Sequence, residues 1–350
     1  MFWRKSLFIF LILIIFLVNG CSSDSNTEDK KETLKYNSII SPSLDLNEQY
    51  YRGVLPYKSS QIKGMLKNIP GRLDNKNFEL GMLELAKNIY DPSKYIFQEG
   101  QILTIKDIEL LFNESQYPQF KDFIYAINEH DYLLENGEYG GVVIGILVSP
   151  KYYLEDKNGE KSTKYYSEEE ITEKSKQLIS ELIPIIRKTT DASLLFGVMK
   201  AQVLDYKLPG SLILSGNINK NEINIEKWIE IKESYLFLPT EKDLTGEQGD
   251  IAKVFNHFKN SMEEYLPGFA GITGIARFRE DELTEVTLKI ITEFDSTVET
   301  IQYAQFGISM ISKYFPNQLH INLYINSIDK PKALYIRKAD GEDFIHIYRD

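Results

Sequence analysis

The sequence predicts an α+β protein with two αβ units, each a sheet with packed helices. The chain has 350 residues, of which 43% are hydrophobic and 26% charged, and this composition can bury the core of more than one domain. Apolar residues follow strand and helix periods in alternation along the chain. A stretch rich in turn residues and charge separates the two units. We therefore expect a leader at 1–20, a polar tether at 21–48, an N-terminal domain at 49–205, a connector at 206–248 and a C-terminal domain at 249–350.

The leader has the layout of a secretory signal peptide. Arg4 and Lys5 precede twelve unbroken apolar residues, Leu7 to Val18, and a short basic head before an apolar run is typical of such signals. A twelve-residue helix reaches about 18 Å, well short of the roughly 30 Å hydrocarbon core of a bilayer. A permanent membrane-spanning helix is therefore disfavoured.

The chain's one cysteine follows this apolar run at position 21, where a bacterial lipoprotein signal ends. We expect diacylglyceryl transferase to modify Cys21, signal peptidase II to cleave between Gly20 and Cys21, and acyl chains such as palmitate to hold the protein on the extracytoplasmic face of the cell membrane. Two or more acyl chains give durable anchoring, whereas one is marginal. The alternative is a signal without lipidation and an incidental cysteine. Asn19 departs from the Ala, Ser or Thr that lipoprotein signals more often carry there.

Charge and composition exclude several classes of function. Residues 22–35 are polar and predict a tether rather than a folded segment. Forty Lys and Arg against 51 Asp and Glu give a net charge of −11, so we expect no nucleic-acid partner. One cysteine and four histidines are too few for a structural zinc site or an intrachain disulfide framework. We therefore predict no metal and no cofactor.

The N-terminal domain contains a predicted β-α-β unit. In order along the chain, the patterns predict a helix over 77–90, a buried strand over 142–148, a helix that begins at Ser167 and a strand over 193–203. Ser167 and Glu170 have the spacing of a capping box. Pro184 lies inside the second helical pattern, where it should kink the helix or mark its last turn.

The C-terminal domain has the predicted order α-β-β-α-β-β-β. The predicted elements are a helix over 250–265, strands over 271–278 and 285–294, a helix over 301–315, and strands over 321–325, 334–336 and 345–347. The first strand pair meets across Arg279-Glu280-Asp281 and the last across Asp340-Gly341, a favoured hairpin dipeptide. The connector carries one short segment, 221–238, which includes Trp228. No residue-level repeat relates the two units.

A turn near the start of the N-terminal domain is the candidate ligand-binding segment. It concentrates aromatic and basic residues around Gly53 and Pro56, namely Tyr51, Arg52, Tyr57 and Lys58. Such residues on a turn can bind sugar rings or carboxylates. The alternative is that the glycine and proline shape a loop whose tyrosines pack on the first helix.

The sequence lacks specific enzyme motifs. HExxH, GxSxG, a Walker loop and GxGxxG after a strand are all absent, so we assign no catalytic residue and predict that the protein is not an enzyme. The alternative is a cell-wall glycan hydrolase that uses a carboxylate pair, either Asp91 with Glu99 or two of Glu280, Asp281 and Glu282. A buried, close pair in a cleft would favour the enzyme, and an aromatic groove without titratable pairs would favour a binding protein.

Several segments in order carry a family resemblance. These are Tyr51–Ser60, Arg72-Leu73-Asp74, Phe78–Gly81, Asp91–Gln101, Leu238-Pro239-Thr240 and Gly274–Phe278. Together they resemble the CamS family of sex pheromone lipoproteins from low-GC Gram-positive bacteria, over essentially the whole chain. In that family the peptide signal is cut from the lipoprotein's own signal sequence.

The resemblance implies a role for the end of the leader. The candidate pheromone consists of Ile14, Ile15, Phe16, Leu17, Val18, Asn19 and Gly20, an apolar peptide that could fill an apolar receptor pocket. Alternatively, this fragment is only a by-product of processing. For the mature body we expect an envelope ligand or a protein partner, which the sequence does not identify.

Overall fold

The structure, a computed structural model, describes residues 39–41, 50–65, 75–203, 207–265, 269–293, 296–339 and 342–349. Ile39–Asp350 form one compact unit. Cys21, the candidate pheromone and most of the predicted tether lie outside the described residues, as do Asp340 and Gly341. Five α-helices and three sheets within the described ranges confirm the predicted α+β class.

The first half of the chain forms an eight-stranded mixed sheet. Its region contains β1 (Ile39–Ile40), β2 (Arg52–Leu55), β3 (Ile96–Glu99), β4 (Ile124–Leu133), β5 (Tyr139–Val148), β6 (Lys151–Glu155), β7 (Lys161–Tyr165), β8 (Ser193–Lys200), β9 (Ser211–Ile218) and β10 (Trp228–Glu230). β6 and β7 form a separate hairpin, and the other strands lie side by side in chain order. Neighbours are antiparallel except β2 with β3 and β5 with β8.

Three helices accompany this sheet: α1 (Asn75–Lys87), α2 (Ile105–Phe112) and α3 (Glu168–Ile186). The Ser167 hydroxyl accepts the Glu170 N–H at 3.1 Å, and the Glu170 carboxylate accepts the Ser167 N–H at 2.7 Å, which confirms the capping box. Pro184 lies in the last turn of α3. Because β5 and β8 are parallel and α3 connects them, the predicted β-α-β unit is also confirmed.

The central strands are buried on both faces, which explains their unbroken apolar sequence. On β5, Val142, Ile144, Ile146 and Val148 belong to the core beneath α3, whereas Val143 and Leu147 belong to the core beneath α1. Glycines allow α1 to approach the sheet closely. A Cβ on Gly141 would lie 2.2 Å from the Tyr90 ring, and one on Gly145 would lie 2.4 Å from the Met82 sulfur.

The second half forms a six-stranded sheet with two helices on one face. Its elements are β11 (Glu233–Leu238), α4 (Gly246–Tyr265), β12 (Phe269–Arg279), β13 (Glu282–Thr292), α5 (Thr297–Tyr314), β14 (His320–Asn326), β15 (Pro331–Arg337) and β16 (Phe344–Ile347). The strands lie in chain order, and only β13 and β14 are parallel. This confirms the predicted order α-β-β-α-β-β-β. Glu280 and Asp281 form the β12–β13 turn with φ of 50° and 66°, as a two-residue hairpin turn requires.

The two halves share one topology. The chain runs β3-α2-β4-β5-α3-β8-β9-β10 in the first half and β11-α4-β12-β13-α5-β14-β15-β16 in the second. In each series the strands lie in the same spatial order, and only the third and fourth are parallel. The β6–β7 hairpin is an addition to the first series. The fold therefore repeats internally although the sequence shows no residue-level repeat.

The predicted connector, 206–248, contributes strands to both sheets. β9 and β10 complete the first sheet, and β11 begins the second. Turn residues between these short strands hide their strand periodicity. None of the helices in the described part of the chain is long and apolar enough to cross a bilayer.

A charged cluster joins the second sheet to the first half. Arg277 of β12 donates two hydrogen bonds to Glu84 of α1, at 2.9 and 2.7 Å. It also donates to Glu233 of β11, at 2.8 and 2.5 Å. The Glu233 side chain is only 1% exposed and accepts the Leu212 N–H of β9 at 2.7 Å. Arg279 contacts both carboxylates as well.

Candidate functional site at the edge of the first sheet

The predicted ligand-binding turn begins with a residue that packs inward. Tyr51 immediately precedes β2, and its hydroxyl donates to the Tyr90 carbonyl at 2.5 Å. Its ring meets the Tyr132 ring edge-on at 4.8 Å. Tyr90 lies in the turn that follows α1. Tyr51 therefore has the packing position that the alternative interpretation expected.

The other three predicted residues face solvent in two different places. The Arg52 guanidinium lies 3.4 Å from Glu135 in an exposed ion pair. Tyr57, which is 59% exposed, and Lys58 line a small pocket of about 60 Å³ together with Phe97 and Glu99. The structure thus brings Tyr57 and Lys58 together but engages Tyr51 and Arg52 elsewhere.

A lysine closes one side of this pocket. Lys63 Nζ donates to the Tyr57 hydroxyl at 2.9 Å and to the Glu99 carboxylate at 2.7 Å. These two hydrogen bonds raise the pKa of Lys63 and keep it charged. The pocket is far smaller than the roughly 300 Å³ at which ligand pockets begin, so it can accept a single small group rather than a whole ligand.

Beneath this edge, two carboxylates of β4 are fully buried. Glu129 and Asp131 are each 0% exposed. The backbone N–H groups of Ile102 and Leu103 donate to Glu129 at 2.8 and 2.7 Å. The N–H of Gln101 donates to Asp131 at 2.9 Å. The loop before α2 therefore supplies the hydrogen bonds that a buried carboxylate requires.

Gly100 makes this close approach possible. Its N–H donates to the Glu129 carbonyl at 3.0 Å, and a Cβ at this position would lie 2.4 Å from the Glu129 Cβ. Any other residue would push the loop away from β4. Packing of the loop against β4 thus explains why a glycine occupies the middle of the Glu99-Gly100-Gln101 segment.

Burial favours the protonated form of these two carboxyl groups. It raises the pKa of Asp131, and the negative charge of Glu129 beside it raises that pKa further. Burial also raises the pKa of Glu129. Two carboxylates this close in a low dielectric cannot both be charged. Because both are sealed from solvent, the pair gives no support to glycan hydrolysis, which needs carboxyl groups that reach the sugar.

The carboxylates of the alternative glycan-hydrolase hypothesis are engaged locally. Asp91 accepts hydrogen bonds from the Ser93 N–H and hydroxyl at 2.9 and 2.8 Å. Glu99 pairs with Lys63. Glu280, Asp281 and Glu282 form the β12–β13 turn and the first residue of β13. Asp91, Glu99 and the Glu280–Glu282 turn thus lie on three different elements, each with its own role.

The polar interior of β4 was not predicted from the sequence. His130 and Tyr132 project from the face opposite Glu129 and Asp131, and the His130 ring meets the Phe97 ring edge-on at 5.1 Å. Burial lowers the pKa of His130 to about 4. Within the described ranges, His130 Nδ1, Asp131 Oδ1 and the Tyr132 hydroxyl lack a hydrogen-bond partner. The run Asn128-Glu129-His130-Asp131 is typical of a loop, and only the apolar residues on both sides of it indicate a ten-residue strand.

Most of the chain matches a known protein family. Residues 57–122 and 112–343 match the family described as CamS sex pheromone cAM373 precursor. The chain belongs to the CamS family. Membership confirms the resemblance that the sequence predicted, and the match spans both sheets of this CamS protein. Because the match starts at residue 57, it concerns the body rather than Ile14–Cys21.

Two solved structures share the fold of this CamS protein. A sex pheromone precursor from Lactobacillus salivarius subsp. salivarius UCC118 is similar with a TM-score of 0.77 and 21% identity, over 88% of this chain and 99% of that one. The C-terminal domain of the sex pheromone staph-cAM373 precursor from Staphylococcus aureus is similar with a TM-score of 0.67 and 20% identity, over 82% and 100%. At these identities the likeness shows the fold alone. No curated protein matches the chain.

Proposed function

We propose that this CamS protein is the precursor of a surface lipoprotein and of a signalling peptide. Diacylglyceryl transferase modifies Cys21, signal peptidase II cleaves after Gly20, and the acylated body stays on the extracytoplasmic face of the cell membrane. The leader releases Ile14–Gly20, which acts as a peptide pheromone. The observation that carries the proposal is the family match, because the family is described as a pheromone precursor.

The leader supports this proposal chemically. A basic head, twelve apolar residues and a cysteine directly after them are what lipoprotein processing needs. The released peptide has no charged side chain, so it can partition through membranes and enter an apolar receptor pocket. The lipid then anchors the acidic body without any membrane-spanning segment.

We further propose that the body binds a ligand of the cell envelope. Two observations support binding rather than catalysis. The buried carboxylates Glu129 and Asp131 accept hydrogen bonds from the backbone N–H groups of Gln101–Leu103. A groove on the first half of the chain is lined by the aromatic side chain of Trp228, and none of its described lining residues is acidic.

Metabolic labelling with an alkynyl fatty acid tests the precursor proposal. The wild type should take up the label, and its culture medium should contain the Ile14–Gly20 peptide and elicit a mating response. Cys21→Ser should lose the label, the peptide and the response, because lipidation precedes cleavage. As a matched control, Ser22→Ala should leave all three unchanged.

Three outcomes would contradict the proposal. Equal labelling of Cys21→Ser would remove the anchor. A mating response that persists without the peptide would remove its signalling role. Wild-type protein secreted free with an unmodified N-terminus would remove the lipoprotein assignment altogether.

A further inference from the structure

A groove of about 560 Å³ lies between α3 and the segment that leads into β10. This volume falls within the roughly 300–1,000 Å³ of small-molecule sites, which combine apolar walls with a few polar groups. Ile179 and Ile183 of α3 form its floor, and Ile223, which is 64% exposed, stands at its rim. The Tyr51–Lys58 turn does not contribute to it.

Trp228 presents its indole ring to this groove. Trp228 pairs with Gly216 across β9 and β10, and a Cβ on Gly216 would lie 2.8 Å from the indole Cε3. The glycine therefore lets the ring lie against the backbone of β9. Since one side of the ring is fixed by the protein, the indole is held in place before any ligand arrives, which lowers the entropy cost of binding.

Pro184 leaves a hydrogen-bond acceptor in the groove wall. Proline has no N–H, so the carbonyl of Ser180, four residues earlier in α3, lacks its usual helical donor. Both Ser180 and Pro184 are exposed and line the groove. Gln177 and Asn224 add two side-chain amides, each able to donate and accept. The walls thus suit a ligand with both donors and acceptors.

The charge of the groove points to a neutral ligand. Of the described residues that line it, Lys176 is the one with a charged side chain, and its ammonium is paired with Glu173 at 2.8 Å. The chain carries 51 acidic residues, yet none of the described residues that line this groove is acidic. A cationic ligand would find no partner here, and an anionic one would find a lysine already paired.

We propose that this groove binds a neutral N-acetylhexosamine oligosaccharide. The C–H face of a sugar ring stacks on the Trp228 indole, as apolar faces do on aromatic rings. The hydroxyls and the acetamido N–H supply donors to the Ser180 carbonyl and partners to Gln177 and Asn224. The acetamido methyl contacts the isoleucines. This site names the ligand class of the envelope-binding body and in that respect rests on the proposed function.

The chain offers a direct optical readout of this site. It contains two tryptophans, Trp3 and Trp228, so in the full-length chain with Trp3→Phe, purified in detergent, Trp228 is the one indole. Titration with the N-acetylglucosamine tetramer should change its emission in a saturable way. A titration without a saturable change at millimolar concentration would overturn the proposal.

Calorimetric titration of variants locates the bound sugar. Trp228→Ala should weaken binding by at least about tenfold through the lost stacking. Gln177→Ala, on the exposed face of α3, should weaken binding by about threefold because one hydrogen bond is lost. This second variant tests the site even if Trp228→Ala does not fold. Ile229→Ala is the matched control, because Ile229 neighbours Trp228 on β10, is 50% exposed and does not line the groove. Its affinity should equal the wild type.

Two further outcomes would refute the assignment. If the protein bound the glucose tetramer, which lacks acetamido groups, as tightly as the N-acetylglucosamine tetramer, N-acetylhexosamines would be refuted as the ligand class. Equal affinity of the wild type and Gln177→Ala, with the control also unchanged, would remove the site. Because the titrations use purified protein, their failure leaves lipid anchoring untouched, and failure of the Cys21 labelling leaves the groove untouched.

Discussion

Glu129 and Asp131 illustrate what a single strand can bury when a loop supplies the hydrogen bonds. An isolated ionised carboxylate in a protein interior is strongly unfavourable, and here three backbone N–H groups from Gln101–Leu103 replace water. Burial also raises the pKa of Asp131, which favours the protonated form of this carboxyl group. On the opposite face of β4, His130 is buried in its neutral form. The stability of this region therefore depends on pH in two opposite ways.

The carboxyl pair predicts a loss of stability at alkaline pH. The folded-state pKa of Asp131 is raised above its unfolded value, so its contribution is complete below the unfolded pKa and declines as pH rises through the folded one. His130 has a lowered pKa, and its contribution is complete above about pH 6.5. Between about pH 7 and pH 9 the carboxyl pair therefore determines how the free energy of unfolding changes with pH. Because one proton is released, this slope is at most about 1.4 kcal/mol per pH unit.

Asp131→Asn, which resembles the protonated form, should flatten this slope. We expect its free energy of unfolding to fall less than that of the wild type between those two pH values, as measured by urea denaturation followed by circular dichroism. Glu138→Gln, an exposed carboxylate in the neighbouring β4–β5 turn, should keep the wild-type slope. Equal slopes for Asp131→Asn and the wild type would contradict the raised pKa of Asp131.

At the scale of the element, α1 depends on a row of glycines in the sheet. Gly145 of β5 and Gly197 of β8 lie opposite each other, and the space that their Cβ atoms would need is taken by Met82 and Leu85 of α1. Next to them, the Tyr90 ring lies over Gly141, stacks on Tyr132 at 5.0 Å and is 1% exposed. The helix and the turn after it thus sit directly on the backbone of the sheet.

Gly141→Ala should therefore destabilise the fold. The new Cβ would lie 2.2 Å from a buried aromatic ring that cannot move aside, and overpacking of this kind costs about 1–3 kcal/mol. The matched control is Gly271→Ala in β12, where a Cβ would meet no atom of the described residues within 4 Å and the change should stay within about 0.5 kcal/mol. Urea denaturation of both variants measures the difference, and a Gly141→Ala protein as stable as the control would refute this packing.

At the scale of the whole molecule, the Arg277 cluster fixes the second sheet against the first half. Glu84 and Arg277 are separated by 193 residues along the chain yet form two parallel hydrogen bonds, the strongest geometry for an arginine–carboxylate pair. Glu233 belongs to the second sheet but holds the backbone of β9 in the first. Loss of the shared guanidinium would leave Glu233 buried without its main partner.

Arg277→Ala should lower the free energy of unfolding by about 3–5 kcal/mol, as is typical when one partner of a buried ion pair is removed. Adding Glu233→Gln should recover part of this loss, because the stranded charge is then gone. Lys253→Ala, which breaks an exposed pair with Asp250, should cost no more than about 0.5 kcal/mol. An Arg277→Ala loss as small as that of the control, in the same denaturation assay, would show that the cluster is dispensable.

Local patterns predicted the parts of the fold that local interactions determine. The capping box at Ser167, the proline in the last turn of α3 and the Glu280-Asp281 hairpin all follow from residues next to each other in sequence. β4 was missed because its buried carboxylates are stabilised by a loop about thirty residues away in the chain. The Glu84–Arg277 pair and the Trp228 groove likewise depend on contacts between distant segments, which one sequence without homologues does not reveal.

The candidate site was predictable only in part, for the same reason. The aromatic and basic composition of the Tyr51–Lys58 turn predicted a ligand-binding segment, and Tyr57 and Lys58 of this turn are exposed. That these residues bind a ligand stays a prediction. The composition could not indicate that Tyr51 packs inward, because Tyr90 and Tyr132 become its neighbours only in the folded sheet. Trp228, which lines the larger groove, belongs to the segment that was predicted to be a connector.

The repeated strand and helix order places β4 and β12 at equivalent positions in the two halves. At its centre β4 carries two buried carboxyl groups, Glu129 and Asp131, whereas β12 presents Ile272, Gly274 and Ala276 to its helices. One topology therefore accommodates a polar interior in one half of the molecule and an apolar interior in the other.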